Sequence, residues 1–174
     1  LVSLLIWGSS MTIMVFDIET VPDFISARKL FNFNEGMNDA DVVKAMLAMR
    51  RQKNGTEFLQ HHLHKIVAIS VVVKGNDWVK VWSLGEENDS EAQLIERFFS
   101  GLDKYTPTLV SWNGGGFDLP VLHYRAMLHG VVAKKYWDTG EFDQSFKWNN
   151  YISRYHKRHI DLMDVLAGFQ MRAN

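Results

Sequence analysis

"KIVAISVVVKGNDWVKVWSL", residues 65–84, is the stretch that decides the fold. Its first nine residues are rich in β-branched side chains, which suit a pleated strand better than a helix. "KGND" at 74–77 supplies turn residues, and "WVKVWSL" at 78–84 reads as a second strand. Two strands joined by so short a link form an antiparallel hairpin. The pattern then changes period. "NDSEAQLIERFFSGLDKY" (88–105) sets Leu94, Ile95, Phe98 and Phe99 on one helical face behind a Ser90 or Asp89 cap. "TLVSWN" (108–113) is a short buried strand. The helix before it is long enough to cross the sheet, so this strand can lie parallel to an earlier one.

Working outward, residues 12–16 read as a first strand, and residues 23–62 as a polar, mixed insertion. Within the insertion, "DADVVKAMLAMRRQ" (39–52) predicts an amphipathic helix, with Asp39 as N-cap and Val42, Val43, Met46 and Met49 as its packed stripe. "DLPVLHYRAMLHG" (118–130) predicts a helix with Pro120 in its first turn and Gly130 just past its end. Residues 154–174 read as an irregular approach followed by a helix. The order is strand, insertion, strand, strand, helix, strand, helix. It predicts an α/β fold of the ribonuclease H-like class, a mixed sheet flanked by helices.

The 174 residues, 47% of them hydrophobic, suit one domain with a substantial core. With no cysteine there is neither a disulfide framework nor a thiolate zinc site, which fits an expected cytoplasmic location. The formal net charge of −1 is low for a protein that lives on phosphate contacts, so any nucleic-acid contact is local or acts through metal. The basic runs at Arg50, Arg51 and Lys53, at Lys134 and Lys135, and at Arg154, Lys157 and Arg158 read as solvated faces. "LVSLLIWGSSM" at the start is too short to span a bilayer. Residues 1–10 read as vector sequence or a mis-start ahead of Met11, and no membrane association is expected. The oligomeric state is left open.

Two short motifs carry chemistry. In "IMVFDIET" (13–20), Asp17 and Glu19 are two apart on a strand and project from one face. Two carboxylates that close repel unless one is protonated or a cation lies between them, and Mg²⁺ or Mn²⁺ prefers such hard oxygen donors. In "SWNGGGFDLPVL" (111–122), a buried strand ends in Asn113 and three glycines before Phe117 and Asp118 open a helix. Each motif alone has an ordinary explanation, a helix cap or a tight turn. If the two strands are parallel neighbours, Asp17, Glu19 and Asp118 converge at one carboxyl edge of the sheet, where open α/β sheets bind ligands.

"FDIET" followed by "NGGGFDLPVL" resembles the first two motifs of the DEDD-type 3′–5′ exonucleases. The likeness is to the proofreading exonuclease domain of family B DNA polymerases and to the bacterial predicted exonucleases related to it. It extends over nearly all of residues 11–174, including "HHLHKIVAISVVV" and "HIDLMDVL". The resemblance implies a metal-dependent exonuclease that trims the 3′ ends of nucleic acid, single-stranded DNA ahead of RNA. It also implies two divalent ions, Mg²⁺ or Mn²⁺. By resemblance, Asp17, Glu19 and Asp118 are the catalytic metal ligands, and Asn113 and Phe117 contact the 3′-terminal nucleotide. An inactive nucleic-acid-binding or interaction module on the same fold is the alternative.

Such enzymes need a fourth acidic residue, in a third motif written Tyr-x-x-x-Asp or His-x-x-x-x-Asp. No Tyr-x-x-x-Asp follows Asp118. The expectation is a domain spanning 11–174 that is truncated before this motif. The rival is a histidine-type third motif at His156 and Asp161, with the same spacing repeated from His159 to Asp164. His61, His62 and His64 are read as surface or hinge residues rather than metal ligands.

Overall fold

The structure, a computed structural model, describes residues 12–170. The reading of residues 1–10 falls outside the described residues. In chain order the elements are β1 (Ile13–Pro22), α1 (Phe24–Phe31), α2 (Asp39–Asn54), β2 (His64–Lys74) and β3 (Val79–Ser83). There follow α3 (Glu91–Tyr105), β4 (Thr108–Ser111), α4 (Asp118–His129), α5 (Lys134–Trp137), β5 (His159–Asp161) and α6 (Leu162–Leu166). The five strands form one sheet in the order β3-β2-β1-β4-β5. β1, β2 and β3 are antiparallel neighbours, while β4 lies parallel to β1 and β5 parallel to β4. This is the expected α/β, ribonuclease H-like arrangement.

Strand alternation sorts the side chains. Met14, Phe16 and Ile18 of β1 are buried, as are Ile69, Val71 and Val73 of β2 and Leu109 of β4. They pack with Leu94, Ile95, Phe98, Phe99 and Leu102 of α3 and with Leu119, Val121 and Leu122 of α4. α3 is closed at its start by a capping box in which Ser90 and Gln93 bond reciprocally to each other's backbone. The other face of the sheet carries an apolar row through register, Val81–Val72–Val15–Val110–Ile160. Val81 in this row is 74% exposed and Val15 39%.

The insertion holds a second, small core of Ala27, Val42, Met46, Leu59 and Leu63. Its helix α2 runs two residues further than predicted and is capped by Asn38, whose side chain accepts from the Asp41 N–H. Met49 faces solvent, so the packed stripe is narrower than the four-residue pattern. A buried ionic cluster joins the two cores. Arg125 on α4 makes a forked pair with Glu91 of α3 and a second bond to Asp23 ahead of α1. It also donates to the His62 carbonyl, and Glu91 in turn accepts from the Ile66 N–H and from His129. Arg125, Asp23 and Glu91 are all under 8% exposed.

The basic runs serve mostly local ties. Arg50 bonds the Phe58 carbonyl and Asn54, Arg51 pairs with Glu57, Lys135 holds the end of α3, and Arg158 holds Asn149 and Ser145.

His123 on α4 packs its ring 4.5 Å from Tyr136 and 4.7 Å from Trp137, centroid to centroid. Its Nε2 is buried with no hydrogen-bond partner. Burial pushes its pKa down to about 4. The unfolded chain therefore takes up this proton first, and stability is lost as pH falls from about 6.5 towards 4. His123→Phe keeps the ring and removes the orphaned nitrogen. It is expected to leave stability level or up to about 1 kcal/mol higher at pH 7.5. The loss on moving to pH 5 should also shrink, as urea denaturation at the two pH values will measure.

Candidate active site

β1 keeps its ladder with β2 along its length, with Asp17 opposite Ser70 and Glu19 opposite Ala68. Its parallel ladder with β4 is shorter, running only from Ile13–Thr108 to Val15–Val110. The two parallel strands thus part at their carboxyl ends, which opens the crevice where ligands sit in α/β sheets. Asp17 and Glu19 lie just past the parting point. Phe16 and Ile18 are buried on one face, and the two carboxylates are exposed on the other. Between Glu19 and Thr20 the register slips by one residue, so that Thr20 faces Ile66. Such a bulge bends the strand and re-aims its last side chains.

Asp118 is the first residue of α4 and only 4% exposed. It reaches back across the parting, where its Oδ1 accepts the Ile18 N–H at 3.3 Å. Burial raises its pKa to about 6, and the charges of Asp17 and Asp161 add to the rise. The structure therefore brings Asp118 within electrostatic reach of Asp17, while Glu19 shares Asp17's face of β1. Among the described residues, no three acidic or histidine side chains form a ready-made metal cage. The donor set nevertheless suits a hard divalent cation in kind. It offers carboxylate oxygens, and the repulsion felt at Asp118 is what a cation would relieve.

The glycine loop is shaped by its own chain. Asn113 takes a left-handed conformation, φ 58°, which asparagine tolerates better than most residues, and its carbonyl accepts from the N–H groups of Gly116 and Phe117. A Cβ on Gly114 would lie 2.1 Å from Ser111 Oγ, so glycine is required there by close approach. Ser111 Oγ is itself 2.8 Å from His159 Nε2 in the core. Gly114→Ala is therefore expected to break the Ser111–His159 bond and cost about 1–3 kcal/mol, measured by thermal or urea denaturation.

β5 is a strand that the sequence pattern does not announce, and it carries Asp161. The Asp161 carboxylate accepts from the N–H groups of Asn113, Gly115 and Met163, which ties the glycine loop to the start of α6. His156 Nδ1 accepts from the Asn150 N–H. Asp164 pairs with Arg154. His64 bonds Thr20 Oγ1 at 3.0 Å through Nδ1, and burial lowers its pKa. A cleft of about 810 Å³ is lined by Gly115, His123, Trp137 and Asp161 among others, but not by Asp17, Glu19 or Asp118. The carboxylates at the strand parting therefore lie outside this cleft.

Phe117 is surrounded by aromatic side chains that no spacing rule singles out. Phe58 from the insertion stands 5.5 Å from it, His64 5.0 Å and His61 6.2 Å, centroid to centroid. The density of rings in "FLQHHLH" (58–64) was the available signal.

No curated protein matches this chain. Among solved structures it is similar to the family B DNA polymerase from the hyperthermophilic archaeon Pyrobaculum calidifontis. The identity is 16% and the TM-score 0.47, over 94% of this chain and 17% of the polymerase. The chain thus spans about a sixth of that polymerase's length. A family model described as a predicted 3′-5′ exonuclease related to the exonuclease domain of PolB matches residues 56–174. That span contains Asn113, Phe117, Asp118, His156 and Asp161, while Asp17 and Glu19 precede it. With more than half of its length matched, the chain belongs to the family of predicted 3′-5′ exonucleases related to the exonuclease domain of PolB.

Proposed function

We propose that this chain is a metal-dependent 3′–5′ exonuclease domain acting in the cytoplasm on single-stranded 3′ ends, DNA in preference to RNA. The observation that supports it most is the contact of buried Asp118 with β1 beside Asp17, at the point where β1 and β4 part. In this reading Asp17, Glu19 and Asp118 hold two Mg²⁺ or Mn²⁺ ions. Such ions supply positive charge that lowers the pKa of water and neutralises charge on phosphate oxygens. The water oxygen forms a new bond to phosphorus, and the bond from phosphorus to the 3′ oxygen of the preceding nucleotide breaks. That oxygen takes up a proton, and a nucleoside 5′-monophosphate leaves. Glu19 also orients the attacking water or the terminal hydroxyl. Phe117 packs against the terminal base or sugar, a contact tolerant of sequence, and Asn113 contacts the same nucleotide.

The fourth carboxylate belongs, in this reading, to a Tyr-x-x-x-Asp helix following Asn174. Asp161 keeps its role of fastening the glycine loop. The test is a 5′-labelled single strand incubated with Mn²⁺ and either the 174-residue chain or a version extended by its downstream sequence. A ladder of 3′-shortened products from the extended chain, weak or absent from the shorter one and abolished by EDTA, is expected. Strand binding without a ladder from the extended chain would leave a binding module instead.

A further inference from the structure

The aromatic side chains around Phe117 are not scattered. Phe58 and Tyr124 are 54% and 46% exposed, too open to be core residues. Phe58 packs against Phe117 at 5.5 Å and against His64 at 5.2 Å. His61 lies 6.2 Å from Phe117 and, with its ring nearly parallel, 6.4 Å from Tyr124. Two segments far apart in the chain supply these rings: the end of the insertion, with Phe58 and His61, and the start and body of α4, with Phe117 and Tyr124. Their positions are fixed by polar bonds. His61 Nε2 meets the Gly116 carbonyl at 3.1 Å, and Arg50 holds the Phe58 carbonyl at 2.8 Å.

Phe117 is the N-cap of α4 and Tyr124 lies seven residues on, roughly 10 Å along the helix, with His61 in contact with both rings. The row therefore starts beside Asp118 and leads away from the carboxylates. Its faces are π-rich, and the chain as a whole has a formal net charge of only −1, with no positive excess to attract phosphate. A row of rings leading out of a nucleotide-cleaving site, open at Phe58 and Tyr124 and half-buried at His61 and Phe117, matches bases rather than a phosphate backbone, because every base offers a π-face.

We infer that Phe58, His61 and Tyr124 form a stacking platform for the second and third bases from the 3′ end of a single strand, continuing the contact made at Phe117. The inference rests on the exonuclease reading for the identity of the strand. On it, the insertion between β1 and β2 delivers Phe58 to the substrate path. Affinity would come from stacking more than from counter-ion release, so its dependence on salt is shallow.

The experiment uses the 174-residue chain in EDTA, where no cleavage is needed, with oligothymidylate carrying 2-aminopurine at the first, second, third or eighth position from the 3′ end. Quenching on binding is expected at the first three positions and not at the eighth. Phe58→Ala and Tyr124→Ala should each weaken binding about tenfold and restore fluorescence at the second and third positions while leaving the first quenched. Phe58→Trp should bind as the native chain does, which separates stacking from a folding defect. Unchanged affinity and quenching in both alanine variants would overturn the platform, as would failure of Phe58→Trp to bind. Quenching that follows this pattern in a chain that never cuts, even when extended and supplied with Mn²⁺, would support the platform and sink the nuclease reading alone. Cutting without the quenching pattern would do the reverse.

Discussion

Replacing Asp118 by Asn is expected to abolish strand cleavage in the extended protein while leaving the fold intact. Losing a directly coordinating carboxylate should cost more than the roughly 10–100-fold typical of groups that only orient a ligand, so a fall well beyond about 100-fold is expected. The same change should stabilise the metal-free protein at neutral pH. Asp118 has its pKa raised to about 6, mainly by burial. The folded state therefore holds this proton more tightly than the unfolded chain. The stability that this provides is present below about pH 4 and is lost as pH rises through about 6. Asparagine does not titrate, so the variant should lack that decline, and denaturation at pH 4.5 and 7.5 without metal will measure the difference. A variant that cuts at the native rate would remove Asp118 from the site. One that unfolds would make it a structural cap.

The second large effect lies away from the chemistry. Arg125→Met should destabilise the protein by about 3–5 kcal/mol, because it strands two buried carboxylates, Asp23 and Glu91, without their cation. Against a typical domain stability of about 5–15 kcal/mol, this is enough to leave a substantial unfolded fraction. Arg125→Lys should recover only part of the loss, since an ammonium cannot reproduce the forked pair with Glu91. Despite burial, Glu91 is held below its ordinary range chiefly by the bonds from Arg125, and Asp23 by the bonds from Ser26 with Arg125 adding to them. Their contribution is therefore present at neutral pH and lost as pH falls through the acid range, and urea midpoints for the three proteins at pH 7 and pH 4 will measure it.

The sheet was legible in the sequence because its strands are dense in β-branched residues and its hairpin is short. β5 was not. Three residues, His159–Asp161, are too few to show a period, and they become a strand only because β4 offers an edge. α1 was hidden for a related reason, since eight residues with one buried side chain, Ala27, leave little pattern. At the site, spacing marked the carboxylates only as candidates, and the parallel pairing of β1 with β4 agrees with the condition set for their convergence. The reason for the glycines could not be read. The neighbour that crowds Gly114 is Ser111 of the same chain, and the oxygen nearest Gly115 belongs to Asp161, 46 residues away. The Arg125 cluster was equally silent, because Asp23, Glu91 and Arg125 are brought together only by tertiary packing.

That cluster bears on how the insertion can be handled. Residues 24–62 look like an excisable module, with their own helices and all but Leu63 of a small core. Removing them would take away the His62 carbonyl that Arg125 bonds and the Ser26 hydroxyl and N–H that hold Asp23. It would also strip Phe58 and His61 from the flank of Phe117. Deletion or grafting of this segment is therefore an operation on the main sheet-and-helix body itself, and variants that shorten it need a replacement for the Asp23 side of the arginine.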